Sequence, residues 1–184
     1  MFVATRTRPD IAFSMSSLTR VAHRPGPQHL QQAKQLVSYL YSTRTFQMCF
    51  YREANLNLEG YNFLDTSHFM EGYVDSSHAT CRATARSGAG HVFFLGKRQA
   101  AIGTIAKQLL EVGNSTTENE YIALSRASCG GFYIKQFIDE LQLLHGELKF
   151  TMYEDSSATL NALKKMWRTL NLGIYALDGI TYVT

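Results

Sequence analysis

Three acidic residues, far apart in the chain, have the types and settings to do metal chemistry together. Asp75 and Asp155 each close an alternating, strand-like segment, and Glu120 falls in the first turns of the helical segment between them. If the two strands are neighbours in a sheet, their carboxylates meet at one end and the helix adds a third. Clustered carboxylates repel one another unless they are protonated or neutralised by a cation. An all-oxygen ligand set selects a hard ion, Mg²⁺ or Mn²⁺. Two such ions about 3.5–4 Å apart can activate a water and stabilise the leaving oxygen of a phosphodiester. Spacing alone does not single these residues out, because the chain carries 15 acids and most must be solvated.

The elements that would position the three acids follow from periodicity. Met70 to Asp75 alternates as a strand, with Met70, Gly72 and Val74 on one face and Glu71, Tyr73 and Asp75 on the other. His91 to Leu95 and Ala100 to Ala106 are two more strands, and Gly96, Lys97 and Arg98 between them suggest a hairpin, so the three strands form an antiparallel meander. A helix is predicted from about Ser115 to Gln142. Ser115 or Thr116 caps it, Glu118 reaches back in a capping box, Gly130 and Gly131 break or kink it, and Ile134, Phe137, Ile138 and Leu141 form its buried face. Leu148, Phe150 and Met152 lead a strand to Asp155. Ser156 or Ser157 caps a last helix with Leu160, Leu163 and Trp167 on its core side. This order predicts an α/β fold, a mixed sheet with helices on its faces.

Ahead of that unit, the chain reads as two helices and a strand. Pro9 and Asp10 open the first helix, along which Ile11, Met15, Leu18 and Ala22 recur, and Pro25, Gly26 and Pro27 stop it. Leu30, Ala33, Val37 and Leu40 stripe the second helix, and Phe46, Met48 and Phe50 alternate as a strand. The predicted organisation is a helical hairpin unit at 1–52, a polar linker at 53–69 and the mixed α/β domain at 70–184.

Composition bounds the partners. With 184 residues, 45% hydrophobic and 18% charged, the chain is globular. No stretch reaches the ~18 apolar residues that a membrane helix needs, and Arg6, Arg8 and Asp10 crowd the start too closely for a secretory leader. Cys49, Cys81 and Cys129, with no CxxC pair, argue against a disulfide framework or a zinc site and suit a reducing compartment, cytoplasmic or nuclear. The six histidines, His68, His78 and His91 among them, read as surface or core residues. A net charge of +3 permits a polyanionic partner without requiring one.

Five ordered motifs, with a helix that follows the first of them, carry a family resemblance. TRTRPDIAFSMSSLTR, around Arg8 to Phe13, resembles the TRPDI signature near the end of the reverse transcriptase of Ty1/Copia-type retrotransposons, and HLQQAKQLVSYLYST resembles the helix that follows it. GYVDSSHA (Gly72 to Ala79) resembles the family's GYSDADWA, and SGAGHVFFLG (Ser87 to Gly96) its SGYVFLLG. NSTTENEYIALS (Asn114 to Ser125) resembles SSTEAEYIALS, the most specific of the five, and YEDSSATLNAL (Tyr153 to Leu163) resembles YCDNQSAIAL. The resemblance implies a ribonuclease H-like fold with a mixed five-stranded-type sheet, behind a remnant of the reverse transcriptase's C-terminal subdomain. It implies that Asp75, Glu120 and Asp155 are catalytic metal ligands for Mg²⁺ or Mn²⁺ in a two-metal site acting on the RNA strand of an RNA–DNA hybrid. It also picks Glu120 over Glu118, two positions away and on another helix face.

The pattern departs from the family late in the chain. Where the family continues RTKHIDIRYHF, Arg168 and Thr169 remain, but its His is Asn171 and its Asp is Gly173. The YVPTxxQLAD segment that would bring a fourth acid is reduced to Tyr182, Val183 and Thr184, with Asp178 a remote substitute. A missing fourth ligand bears on the second ion, so the enzyme assignment stays open. The expected function is metal-dependent hydrolysis of hybrid RNA. The alternative is an inactive, domesticated or decaying pseudo-nuclease that binds nucleic acid or a protein partner. Arg6, Arg8, Arg20, Arg24, Lys97, Arg98, Lys107, Lys164, Lys165 and Arg168 are candidate phosphate contacts, and Tyr39, Tyr41 and Tyr51 candidate stacking residues. The polymerase palm is not in this chain, so polymerase chemistry is not expected. The first two helices either support the α/β domain or expose an apolar face that promotes self-association.

Overall fold

The computed structural model describes residues 2–50, 69–81, 84–96, 99–142, 148–170 and 180–183, with side chains at all of these except 69, 166–170 and 180–183. Residues 53–68 of the expected linker, the Lys97–Arg98 turn, Asn171, Gly173 and Asp178 lie outside what it describes, as does the side chain of Trp167.

β1 (Phe69–Ser77) alternates as its sequence implies, with Met70, Gly72, Val74 and Ser76 buried and Tyr73, Asp75 and Ser77 exposed. It pairs antiparallel with β2 (Gly88–Leu95), which pairs antiparallel with β3 (Ala101–Gln108), completing the predicted meander. On its other side β1 runs parallel to β4 (Lys149–Tyr153), and β4 runs parallel to β5 (Ile180–Val183). The sheet order is β3-β2-β1-β4-β5, with β1 at the centre. Parallel neighbours need a long crossover. α4 (Thr116–Glu140) lies in sequence between β3 and β4, and α5 (Ser157–Leu170) between β4 and β5.

One face of the sheet packs on α4 and α5 through Met70, Val74, Phe93, Phe150 and Met152 from the strands and Ala123, Leu124, Ala127, Ile138, Leu160 and Leu163 from the helices. The expected break at Gly130 and Gly131 does not occur, since α4 is continuous. Gly131 is there for close approach instead, because a Cβ at this position would run into the ring of Phe150. This shifts the buried stripe to Gly131, Lys135 and Ile138, leaving Phe137 and Leu141 exposed, contrary to expectation.

The opposite face carries the N-terminal helices. α1 (Phe2–Arg6), not predicted, and α2 (Ala12–Arg20) contact β3, and a 3₁₀ turn at Pro9–Ile11 joins them. α3 (Pro27–Ser42) packs on α2. Its half-buried positions are His29, Ala33, Leu36 and Leu40, while Leu30 and Val37 are exposed. Arg8 is buried. Its Nη2 donates to Asp10 Oδ2 (2.7 Å) and Thr43 Oγ1 (2.6 Å), and its Nη1 donates to the Thr43 carbonyl (3.2 Å). Arg8 is thereby removed from the candidate phosphate contacts. The expected strand at Phe46–Phe50 is irregular chain. Cys49 accepts from Ala100 N–H at 3.1 Å, but no ladder follows, and alternation without a paired neighbour does not make a strand.

Candidate metal centre

Parallel pairing sets the geometry of the site. Tyr73 of β1 lies opposite Tyr153 of β4, so Asp75 and Asp155 each sit two residues beyond a matched pair. They lie toward the same end of the sheet, on neighbouring strands about 4.8 Å apart. The matched tyrosines stack with ring centroids 4.7 Å apart and planes 11° from parallel, which fixes this register on the outer face.

α4 brings the third acid over that end. Ser115 caps the helix, its Oγ accepting from Glu118 N–H (3.1 Å), and the Glu118 carboxylate accepts from Asn114 N–H (2.7 Å). Asn119, fully buried, donates through Nδ2 to the Ser115 carbonyl (2.9 Å), and the same atom lies 2.7 Å from His78 Nδ1. The chain just after β1 is thus tied to the first turns of α4. Ser87, also buried, holds that segment as well, accepting from Ala79 N–H at 3.0 Å.

Glu120 faces inward and is only 7% exposed. Burial raises its pKa, the polar groups of Ser76 that face it pull it back, and the charges of Asp75 and Asp155 raise it further. Both predicted aspartates therefore lie within electrostatic reach of Glu120. Their orientations differ. Asp75 and Asp155 are exposed while Glu120 is buried, since strand alternation turns Ser76, rather than Asp75, toward the helix.

A fourth acid, not singled out from sequence, completes the group. Glu154 is 2% exposed and sits between Met152 on the core side and Asp155 at the rim. Its Oε1 accepts from Ser156 N–H (3.2 Å), while its Oε2 is buried without a hydrogen-bond partner. Burial, with Glu120 and Asp155 nearby, pushes its carboxyl up to about 7. Glu120 Oε2 and Ser76 Oγ are likewise buried without a partner at hydrogen-bonding distance. Buried polar atoms in native proteins are nearly always satisfied, and with Asn119 Oδ1 four such unpartnered atoms fall on β1, the first turns of α4 and the residue after β4. The signal was present in the sequence, because Leu148, Phe150 and Met152 alternate inward and Glu154 is the next residue on that face.

The donors suit a hard divalent ion in kind, being all oxygen, and in placement, being at one end of the sheet. Among the described residues, however, no group of three or more His, Cys, Asp and Glu side chains is close enough as it stands to hold a metal ion. Closing such a shell requires the exposed Asp75 and Asp155 to rotate toward Glu120.

A sheet in this order, with acids near the carboxyl ends of its central parallel pair and a helix bringing another over them, is the mixed α/β arrangement expected from the motifs. No protein-family model matches the chain. Secreted RxLR effector protein 161 of Plasmopara viticola is 32% identical over 128 residues, covering 70% of this chain and 80% of that protein. The retrovirus-related Pol polyprotein from transposon TNT 1-94 of Nicotiana tabacum is 29% identical over 165 residues, which are 89% of this chain and 11% of the polyprotein. The chain thus spans about a tenth of that relative's length. The solved structure of LC11-RNase H1 in complex with RNA/DNA hybrid aligns with a TM-score of 0.40 and 16% identity, over 62% of this chain and 83% of that one. The chain belongs to one family with the Plasmopara viticola protein, and its relatives include retrotransposon Pol polyproteins of the Copia/Ty type.

Proposed function

We propose that this domain hydrolyses the RNA strand of RNA–DNA hybrids with Mg²⁺ or Mn²⁺ held by Asp75, Glu120 and Asp155. The observation that carries the reading is the gathering of these acids at one end of β1 and β4 under the first turns of α4. A bound divalent ion would neutralise charge on the scissile phosphate and lower the pKa of an attacking water. Asp75 and Asp155, exposed at the rim, are the groups a phosphodiester meets first. Glu120 anchors the centre from beneath, held in place by the Ser115 cap and the Asn119–His78 contact. Hydrolysis is then in-line addition of water to phosphorus with departure of the opposite oxygen. Recognition rests on backbone shape and 2′-hydroxyls rather than base edges. On this reading residues 1–52 are a remnant of the reverse transcriptase, and the domain works in the cytoplasm or nucleus.

The test is cleavage of a labelled hybrid with Mg²⁺ or Mn²⁺ by the full chain and by Asp75→Asn. Activity should fall about 100-fold or more, at or beyond the upper end for losing a metal site's supporting residues. Equal cleavage by both preparations would mark a contaminant, and no cleavage by either would end the nuclease reading.

The departures from the family pattern at Asn171 and Gly173 favour a second reading, a pseudo-nuclease that binds nucleic acid without cutting it. Exposed Arg6, Arg24, Lys107 and Lys164 would then contact phosphate, and affinity would fall steeply with salt.

A further inference from the structure

The acid group has an inner half that the family pattern does not include. Where the family's strand motif reads Tyr-Cys-Asp, this chain has Tyr153, Glu154 and Asp155, so a carboxylate stands where the family has a thiol. That carboxylate is 2% exposed, and one of its oxygens has no partner. Glu120, its neighbour across the strand ends, also has a buried orphan oxygen, and Ser76 Oγ between the elements is a third. α4, which carries Glu120, packs on both β1 and β4. Two buried carboxylates, each with an unpaired oxygen, are donors of the kind an oxygen-ligated cation takes, and such a cation would satisfy both.

We propose that Glu154 is a fourth carboxylate of the metal site, and that Glu120 and Glu154 together hold a divalent cation on the buried side of the strand ends. The fourth acid is then supplied by β4 itself rather than by the segment around Gly173. This rests on the divalent-metal reading above, and it divides the site into an inner seat formed by the two glutamates and an outer rim formed by Asp75 and Asp155.

The test is calorimetric titration of the metal-free full chain with Mn²⁺ at neutral pH, paired with thermal unfolding with and without Mn²⁺. Glu154→Gln preserves shape without charge, and Glu154→Cys restores the family's residue. Unfolding in chelator first establishes that each variant is folded, and either one carries the test if the other is not. Both should weaken Mn²⁺ binding about ten-fold or more and shrink the rise in unfolding temperature that Mn²⁺ gives the unaltered chain. Unaltered affinity in a folded variant, with the parent chain binding, overturns the assignment of Glu154 and leaves the three-acid reading standing. No binding by the parent chain sinks both. Weakened binding in the Glu154 variants but unchanged binding in Asp75→Asn supports the inner seat and refutes the rim aspartate as a ligand. Loss of the fold in both Glu154 variants overturns the proposal, because the residue would then be structural.

Discussion

A carboxyl held near 7 beside other acids ties this protein's stability to pH. Glu154 has an ordinary value of 4.5 and is pushed up to about 7 in the folded chain, mainly by burial. Between those values the folded state keeps a proton that the unfolded chain has released. The contribution is therefore full below about pH 4.5 and lost as pH rises through 7. Glu120 is shifted in the same direction. In chelator, urea unfolding of the parent chain should show stability falling from pH 4.5 to 7.5, with a flatter profile for Glu154→Gln. Superimposable profiles would remove Glu154 as a source of that dependence. At this scale, Asp75 and Asp155 could be read in advance because each closes an alternating run, and Glu120 through its motif. Glu154 is legible only when the inward alternation of Phe150 and Met152 is carried on to the next residue of that face. Side-chain period two makes adjacent residues face opposite ways, so a rim acid and a buried acid can follow one another.

Among the elements, α4 has the most specific demands. Gly131→Ala would push a methyl group into Phe150 in the core, an overpacking cost of about 1–3 kcal/mol, read as a lower urea midpoint with an unchanged slope. Ser115→Ala removes the cap accepting from Glu118 N–H and should cost about 1 kcal/mol. Because the same turn carries Glu120, that variant should also weaken Mn²⁺ binding more than its stability loss accounts for. The meander, the cap and both crossover helices were legible because each has a local signal. The continuity of α4 was not. Glycine reads locally as a breaker, and only the tertiary approach of Phe150 shows that it is kept for its lack of a side chain. Likewise the alternation at Phe46, Met48 and Phe50 could not reveal that no strand lies alongside it.

For the molecule as a whole, the two faces of the sheet differ in what covers them. α4 and α5 bury one face in a continuous core, whereas α1 and α2 contact β3 on the other, above a cleft of about 520 Å³ lined by Phe13, Arg20, Asp75 and Lys107 among others. The Arg8–Asp10–Thr43 network, with Tyr39 donating to Asp10 (2.9 Å), fastens the first helices to the end of α3. Arg8→Met should loosen that corner and speed protease cleavage within the first 50 residues while leaving the sheet's unfolding transition in place. Simultaneous loss of both would show that the helices and the sheet fold as one unit. Nothing in the separate periodicities of α2 and β3 announces their contact, so this docking was not legible.

The parallel pairing of β1 with β4 also sets when the site comes into being. Glu71 and the Tyr153 hydroxyl that donates to it (3.4 Å) are 82 residues apart in the chain, and closing so long a loop is slow relative to zipping the β1–β2–β3 meander. During synthesis the meander can form with Asp75 already in place, while Asp155 and Glu154 are still to emerge. A nascent or prematurely ended chain without β4 would carry Asp75 and at most Glu120 there, without Glu154 and Asp155, so metal should speed neither the first folding phase nor the collapse of fragments ending before residue 148.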